Sequence, residues 1–260
     1  MVDTAVKPAP AVFPELFSPL AMPFRLEGTR REAVVLVHGF TGIPGHFGPL
    51  ARHLHGEGFT VNVPLLAGHG TEPGRLQTVD VADWGRSVVH AARAVSDHRR
   101  VHLVGLSLGG LLSIITAGEV AAASVTTISS PLVVRNPRLY ASGFVHRLMP
   151  YVEWPDTAEP VLDPDTAGLA INYSGFPTRA AGQLVRAMRL AYRAARRLRR
   201  PALVVQSRAD QTVHPASAIL LHRALGPDCR LVWLDHSMHN ALIDRERDTI
   251  HAAVLDRVTT

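Results

Sequence analysis

Five residues, Gly105-Leu106-Ser107-Leu108-Gly109, constrain this chain more than any others. They stand between an apolar β-branched run, 101–104, and an apolar run of helical character, Leu111-Leu112-Ser113-Ile114-Ile115. A serine between glycines at a strand-to-helix turn demands a sharp bend, which lifts the hydroxyl above the edge of a sheet. Gly105 and Gly109 keep side chains out of that bend. The rest of the chain supplies the sheet. Short apolar runs at 33–37, 59–63, 125–128, 202–206 and 230–234 read as further strands. Amphipathic stretches near 47–56, from Asp80 or Asp83 to 98, 108–118, 215–225 and 241–254 read as helices. This alternation predicts an α/β protein with a mostly parallel central sheet and helices on both faces.

The rhythm breaks between 131 and 200. Prolines at 137, 150, 155, 160, 164 and 177 interrupt it, and no β-branched run reaches strand length. An inserted helical cap is expected there, over 133–200, with the core formed by 1–132 and 201–260. The last part of the insertion is the clearest. Leu184, Met188, Ala191, Ala195 and Leu198 repeat at helical spacing, with Arg186, Arg189, Arg193, Arg196 and Arg197 mostly off that face. The first thirty residues read as an N-terminal strand or loop.

Composition narrows the classes. With 260 residues and 47% hydrophobic content, a large buried core is available. The single cysteine, Cys229, excludes an internal disulfide and a thiolate metal framework. No export signal and no apolar run of about 20 residues is visible, so a cytoplasmic protein is expected. The net charge is +5, with much of the excess between Arg186 and Arg200. Tyr192 is the only aromatic interleaved there, which argues against nucleic acid as a partner. The arginine-rich stretch reads as a solvated helix face. The competing reading is peripheral contact with an anionic lipid surface.

A serine hydroxyl becomes a useful nucleophile only when a base takes its proton, and histidine suits that task near neutrality. Fourteen histidines are available. At serine turns of this kind the acid and then the base follow on loops after later strands. Asp210 follows the run 202–206, while Asp235, His236 and His239 follow the run 230–234. Asp235 is too close in sequence to the histidines to be preferred over Asp210. His236 and His239 remain open alternatives at this point. As a metal pair they lack a third convergent ligand. His53, His55, His98, His222 and His251 read as surface residues. A tetrahedral intermediate needs two backbone donors for its oxyanion. The N–H after the serine, at Leu108, is one candidate. The N–H of Phe40, in the glycine-rich turn after 33–37, is the other.

Taken in order, His38-Gly39-Phe40-Thr41-Gly42, Gly68-His69-Gly70-Thr71, Asp83-Trp84, Gly105-Leu106-Ser107-Leu108-Gly109-Gly110, Asp210 and Ser237-Met238-His239 resemble the bacterial carboxylesterases and monoacylglycerol lipases of the α/β-hydrolase superfamily. The resemblance covers about 33–132 and 201–255. It implies the α/β-hydrolase fold, Ser107 as nucleophile, His239 rather than His236 as base, Asp210 as acid, and Phe40 and Leu108 as oxyanion donors. It further implies a serine carboxylic-ester hydrolase, working through an acyl-enzyme on monoacylglycerols or short- to medium-chain esters. Such an enzyme takes a small-molecule ester, needs no cofactor or metal, and is a monomer or a dimer. The stretch 172–178 faintly resembles the lipase cap. The same triad also serves thioester, lactone and carbon–carbon hydrolases, and some members of the fold bind ligands without turnover.

Overall fold

The computed structural model describes residues 19–153 and 163–260. Its main sheet has seven strands: β1 (Phe24–Leu26), β2 (Glu32–Val37), β3 (Thr60–Val63), β4 (Arg100–Leu106), β5 (Ser124–Ile128), and the later β8 (Ala202–Ser207) and β9 (Cys229–Leu234). They lie in the order β1-β3-β2-β4-β5-β8-β9. β1 runs antiparallel to β3, and every other pairing is parallel. β1 falls within the first thirty residues, which read as a strand or a loop; residues 1–18 lie outside the described residues.

The apolar runs form central strands because both faces of the sheet are covered. In β2, Val35 and Val37 join one core with Trp84, Leu111 and Met188, while Val34 and Leu36 join the other with Phe47, Leu50 and Val254. Burial on both sides turns the usual polar alternation into a continuous apolar run. One face carries α1 (Gly48–Gly56) and α7 (Arg247–Thr259); the other carries α2 (Val81–Arg93), α3 (Leu108–Thr116), α5 (Thr178–Ala195) and α6 (Ala216–Leu225). Asp80 caps α2, accepting the N–H groups of Ala82 at 2.8 Å and Asp83 at 3.0 Å. Asp83 reciprocates by accepting the Asp80 N–H at 2.9 Å.

The arginine-rich helix α5 lies along α3 on the sheet's flank. Leu184, Val185, Met188, Ala191 and Ala195 are buried there, and Arg186, Arg189, Arg193, Arg196 and Arg197 face solvent. Burying each of the three larger side chains stabilises the helix by about 2 kcal/mol. Between β5 and α5 the chain forms a 3-10 turn (Pro137–Ala141), the single turn α4 (Ser142–Val145), and an antiparallel pair of short strands, β6 (Tyr151–Glu153) with β7 (Gly175–Pro177). These two strands were not expected from the sequence. At three residues each they are too short to show a period. Pro155 and Pro160 lie outside the described residues.

The closing helix also differs from expectation. In place of one helix over 241–254, a 3-10 turn (Ala241–Ile243) is followed by α7 beginning at Arg247. The intervening acids are engaged elsewhere, as described below. Among the described residues, no helix is long and apolar enough to cross a membrane.

Candidate active site

Ser107 joins β4 to α3 with φ +53° and ψ −116°. Such a backbone costs about 1–3 kcal/mol and persists only where its surroundings enforce it. Here the Ser107 N–H donates to the Ile128 carbonyl at 2.7 Å, and the buried Ser130 Oγ donates to the Ser107 carbonyl at 3.0 Å. Gly109 completes the bend. A Cβ at that position would sit 1.9 Å from the Val37 carbonyl oxygen, so no other residue fits. The bend lies between the carboxyl ends of β2 and β4. The chain has placed β3 on one side of β2 and β4 on the other, and open sheets form their sites at such reversals.

The loops after β8 and β9 bring two further groups to Ser107. The His239 Nε2 is 3.2 Å from Ser107 Oγ, and its Nδ1 is 3.0 Å from Asp210 Oδ2. Asp210 is wholly buried. Its Oδ1 accepts the N–H groups of Thr212 and Val213, both at 2.8 Å, and its Oδ2 accepts Gln206 Nε2 at 3.0 Å. Burial alone would raise the Asp210 carboxyl. The His239 ring and the two backbone donors outweigh it and hold the group below the usual carboxylate range. Asp235 and His236, the competing candidates, are both exposed, and Asp235 pairs with Arg208.

The His239 loop is held by two acids that follow it. Glu246 accepts the N–H groups of Asp235 (3.0 Å), His236 (2.9 Å) and Ser237 (2.7 Å), and also the Ser237 hydroxyl (2.9 Å). The buried Asp244 accepts the Met238 N–H at 2.7 Å. Burial works to raise the Glu246 carboxyl, but these donors hold it below its ordinary range. With both side chains reaching back along the loop, 244–246 does not continue as helix.

Gly39 lies against Ser107. A Cβ there would be 3.3 Å from Ser107 Cβ. The next two residues make the turn in which Phe40 and its N–H lie, and Thr41 adopts φ +62°. Three histidines surround this turn, and all are buried. His38 Nδ1 bonds to the Gly39 carbonyl at 2.9 Å, and its Nε2 accepts the Leu66 N–H at 3.0 Å. His69 Nε2 accepts the Thr41 N–H at 3.2 Å, and its Nδ1 bonds to the Ala67 carbonyl at 3.2 Å. His46 Nε2 bonds to the Ile171 carbonyl at 3.0 Å. Burial lowers His46 and His69 to about 4 and pushes His38 well below its ordinary value. All three are therefore neutral at pH 7. The Phe40 ring packs edge-on against His69, Trp84 and Phe176, with centroids 6.4, 6.0 and 5.5 Å away.

Sequence reasoning did not single out Ser130 or Gln206, and it met Asp244 and Glu246 only as charged residues after His239, because their bonds form only once the loops have folded. His69 carried a signal, since Gly68-His69-Gly70 stood out as a motif, but without a role. The surface reading fails for His251. It is 8% exposed and stacks on His53 with centroids 5.2 Å apart. His53, His98 and His222 are half-buried, and His55 is exposed.

A mostly parallel sheet flanked by helices, with a strained serine turn at the carboxyl edge of its central strand, defines a hydrolase-type α/β fold. The chain belongs to the α/β hydrolase family, whose profile matches residues 34–253. A carboxylesterase of Bacillus subtilis (strain 168) is 24% identical over 237 residues, 90% of this chain and 94% of the relative. A thermostable monoacylglycerol lipase of Bacillus sp. (strain H-257) is 29% identical over 229 residues, 84% and 86% of the two chains. Among solved structures, one from the metagenome-derived lipolytic enzymes LipS and LipT superposes with a TM-score of 0.83 at 30% identity. That match covers 93% of this chain and 98% of the other.

Proposed function

We propose that this protein is a serine carboxylic-ester hydrolase that works through an acyl-enzyme, with monoacylglycerols or short- to medium-chain esters as substrates. The observation that carries this reading is the continuous relay from Ser107 Oγ through His239 to the buried Asp210 carboxylate, at 3.2 and 3.0 Å. Likeness to a carboxylesterase and a monoacylglycerol lipase supports the choice of an ester bond.

In this mechanism Ser107 Oγ attacks the ester carbonyl carbon and gives its proton to His239 Nε2. The carbonyl oxygen becomes an oxyanion held by the N–H groups of Phe40 and Leu108. Collapse of the intermediate breaks the bond to the alcohol, which leaves with the proton from Nε2. Water then loses a proton to Nε2 and attacks the acyl carbon, and a second collapse frees the acid and restores Ser107. Asp210 fixes the His239 tautomer and stabilises the imidazolium formed in each half-reaction.

Of the cap expected over 133–200, α5 packs against α3, so we read the described residues of 133–153 and 163–177 as the part left to act as a cap. Part of the arginine-rich stretch lies away from the site. Arg196, Arg199 and Arg200 line a groove of about 620 Å³ with Arg223 and Asp228, where β8 and β9 begin. Ser107 stands at the opposite edge of the sheet, so a lipid surface held in that groove would face away from it.

Hydrolysis of p-nitrophenyl esters of increasing chain length, beside 1-monoacylglycerols and acyl thioesters, tests the reading. Turnover of oxygen esters, lost in Ser107→Ala, is the expected result. Turnover of thioesters alone, or full activity in Ser107→Ala, would overturn it.

A further inference from the structure

The turn that carries Phe40 is gripped from two sides at Thr41. The Thr41 N–H donates to His69 Nε2 at 3.2 Å, and the Thr41 carbonyl accepts the Tyr173 N–H at 3.3 Å. Thr41 is a β-branched residue with φ +62°, a conformation that disfavours itself unless outside contacts impose it. His69 is in turn fixed. Because Nε2 is the acceptor, the proton belongs on Nδ1, which donates to the Ala67 carbonyl. The same carbonyl accepts Trp84 Nε1 at 3.1 Å, tying the loop to α2. Tyr173 is also anchored, its hydroxyl accepting the Thr71 N–H at 3.2 Å.

These contacts have a chemical consequence for the neighbouring peptide. With the Thr41 N–H bonded inward to His69, the orientation of the 40–41 peptide is set, and the Phe40 N–H before it has no acceptor among the described residues. We propose that His69 is a positioning residue for the oxyanion hole: by accepting the Thr41 N–H it holds the strained turn in which the Phe40 N–H is free to receive the developing negative charge. This rests on the ester-hydrolase reading above. His69 touches no reacting atom, and it supports the transition state more than the ground state because negative charge develops on the carbonyl oxygen only in the former.

Three variants test this with p-nitrophenyl butyrate. His69→Phe keeps a planar ring without an acceptor. His69→Asn keeps polarity but is too short to reach Thr41. His69→Gln places an amide oxygen within reach. Removing one oxyanion donor costs about 10²–10³ in kcat, and loosening one costs less. The expected result is therefore a fall in kcat of about 10- to 100-fold in the Phe and Asn variants. KM should be nearly unchanged, and the Gln variant should recover most of the rate. Wild-type kcat in a folded His69→Phe, or a loss confined to KM, or equal losses in Asn and Gln, would overturn the proposal. If His69→Phe fails to fold, the Asn–Gln pair decides. Wild-type protein that neither turns over esters nor reacts with a fluorophosphonate would remove the ester-hydrolase reading and this one together. Reactive wild type with an indifferent His69 would remove this one alone.

Discussion

Ser107 is an expensive residue to place, and the chain meets that cost with contacts that allow little variation. The absence of a side chain at Gly109 lets α3 start directly beneath β2, and a methyl group there would meet the Val37 carbonyl at 1.9 Å. Backbone cannot retreat from backbone as a flexible side chain can. Gly109→Ala is accordingly expected to destabilise the fold by more than about 3 kcal/mol, in the range seen for overpacking and backbone strain. A denaturant titration reads this directly, and an unchanged midpoint would refute the role given to the glycine. Ser107 and Gly109 were legible in the sequence because the bend leaves a local motif. Ser130, which donates to the Ser107 carbonyl from 23 residues away, leaves none. Gln206 was visible only as the end of a strand. Its bond to Asp210 appears once the loop after β8 has turned back over the sheet. His236 and His239 could be separated by resemblance but not by local physics, since both follow the same strand and only folding exposes one and brings the other to Ser107.

At the scale of elements, the segment from Asp235 to Glu246 shows why a periodic stretch did not become the expected helix. A helix over 241–254 would have required Asp244 and Glu246 to face solvent or the preceding turn. They instead bond to the N–H groups of 235–238, and the helix starts only at Arg247. This arrangement makes Glu246 a support for His239. Its carboxylate receives several charge-assisted bonds, and Glu246→Gln removes the charge while keeping the shape. The substitution is expected to cost about 1–2 kcal/mol, because the group is partly exposed, and to lower kcat more than it raises KM. Chemical denaturation and steady-state kinetics on one ester check both parts. A stability loss with normal kcat would show that the loop's position does not depend on this carboxylate. The region between β5 and α5 was the least legible element. Its prolines mark interruptions, but β6 and β7 are too short to alternate. The arginine-rich helix was legible as a helix from its spacing. Its seat on α3 was not, because spacing identifies an apolar face without identifying what covers it.

For the molecule as a whole, the sheet was readable because its strands are buried on both faces and separated by helices of ordinary length. The charge pattern is less direct, since the number of histidines says nothing of their environment. His46, His69, His102 and His251 are lowered to about 4 by burial, and His38 is lowered in the same direction. Each has a folded-state value below its unfolded one. Between about 6.5 and about 4 the unfolded chain therefore binds protons that the folded chain excludes. Stability is complete above that window and falls as pH falls through it. The slope approaches about 1.4 kcal/mol per pH unit for each fully buried histidine and is smaller for His251, which is nearer solvent. Against a total stability of about 5–15 kcal/mol, the loss from several such groups is a large fraction. Thermal melts from pH 7.5 to pH 4 should show a Tm that declines steeply below pH 6. A flat profile to pH 4.5 would mean that these rings accept protons without disturbing the fold.

The fold, the hydrogen-bonded chain through His239 and the turn at Phe40 converge on one atom, Ser107 Oγ. The most direct measurement is reaction of the wild-type protein with a fluorophosphonate, followed by mass spectrometry of its peptides. A single adduct on Ser107, abolished in Ser107→Ala and strongly slowed in His239→Ala, is the expected result. An unlabelled protein, or an adduct at another residue, would contradict Ser107 as the nucleophile.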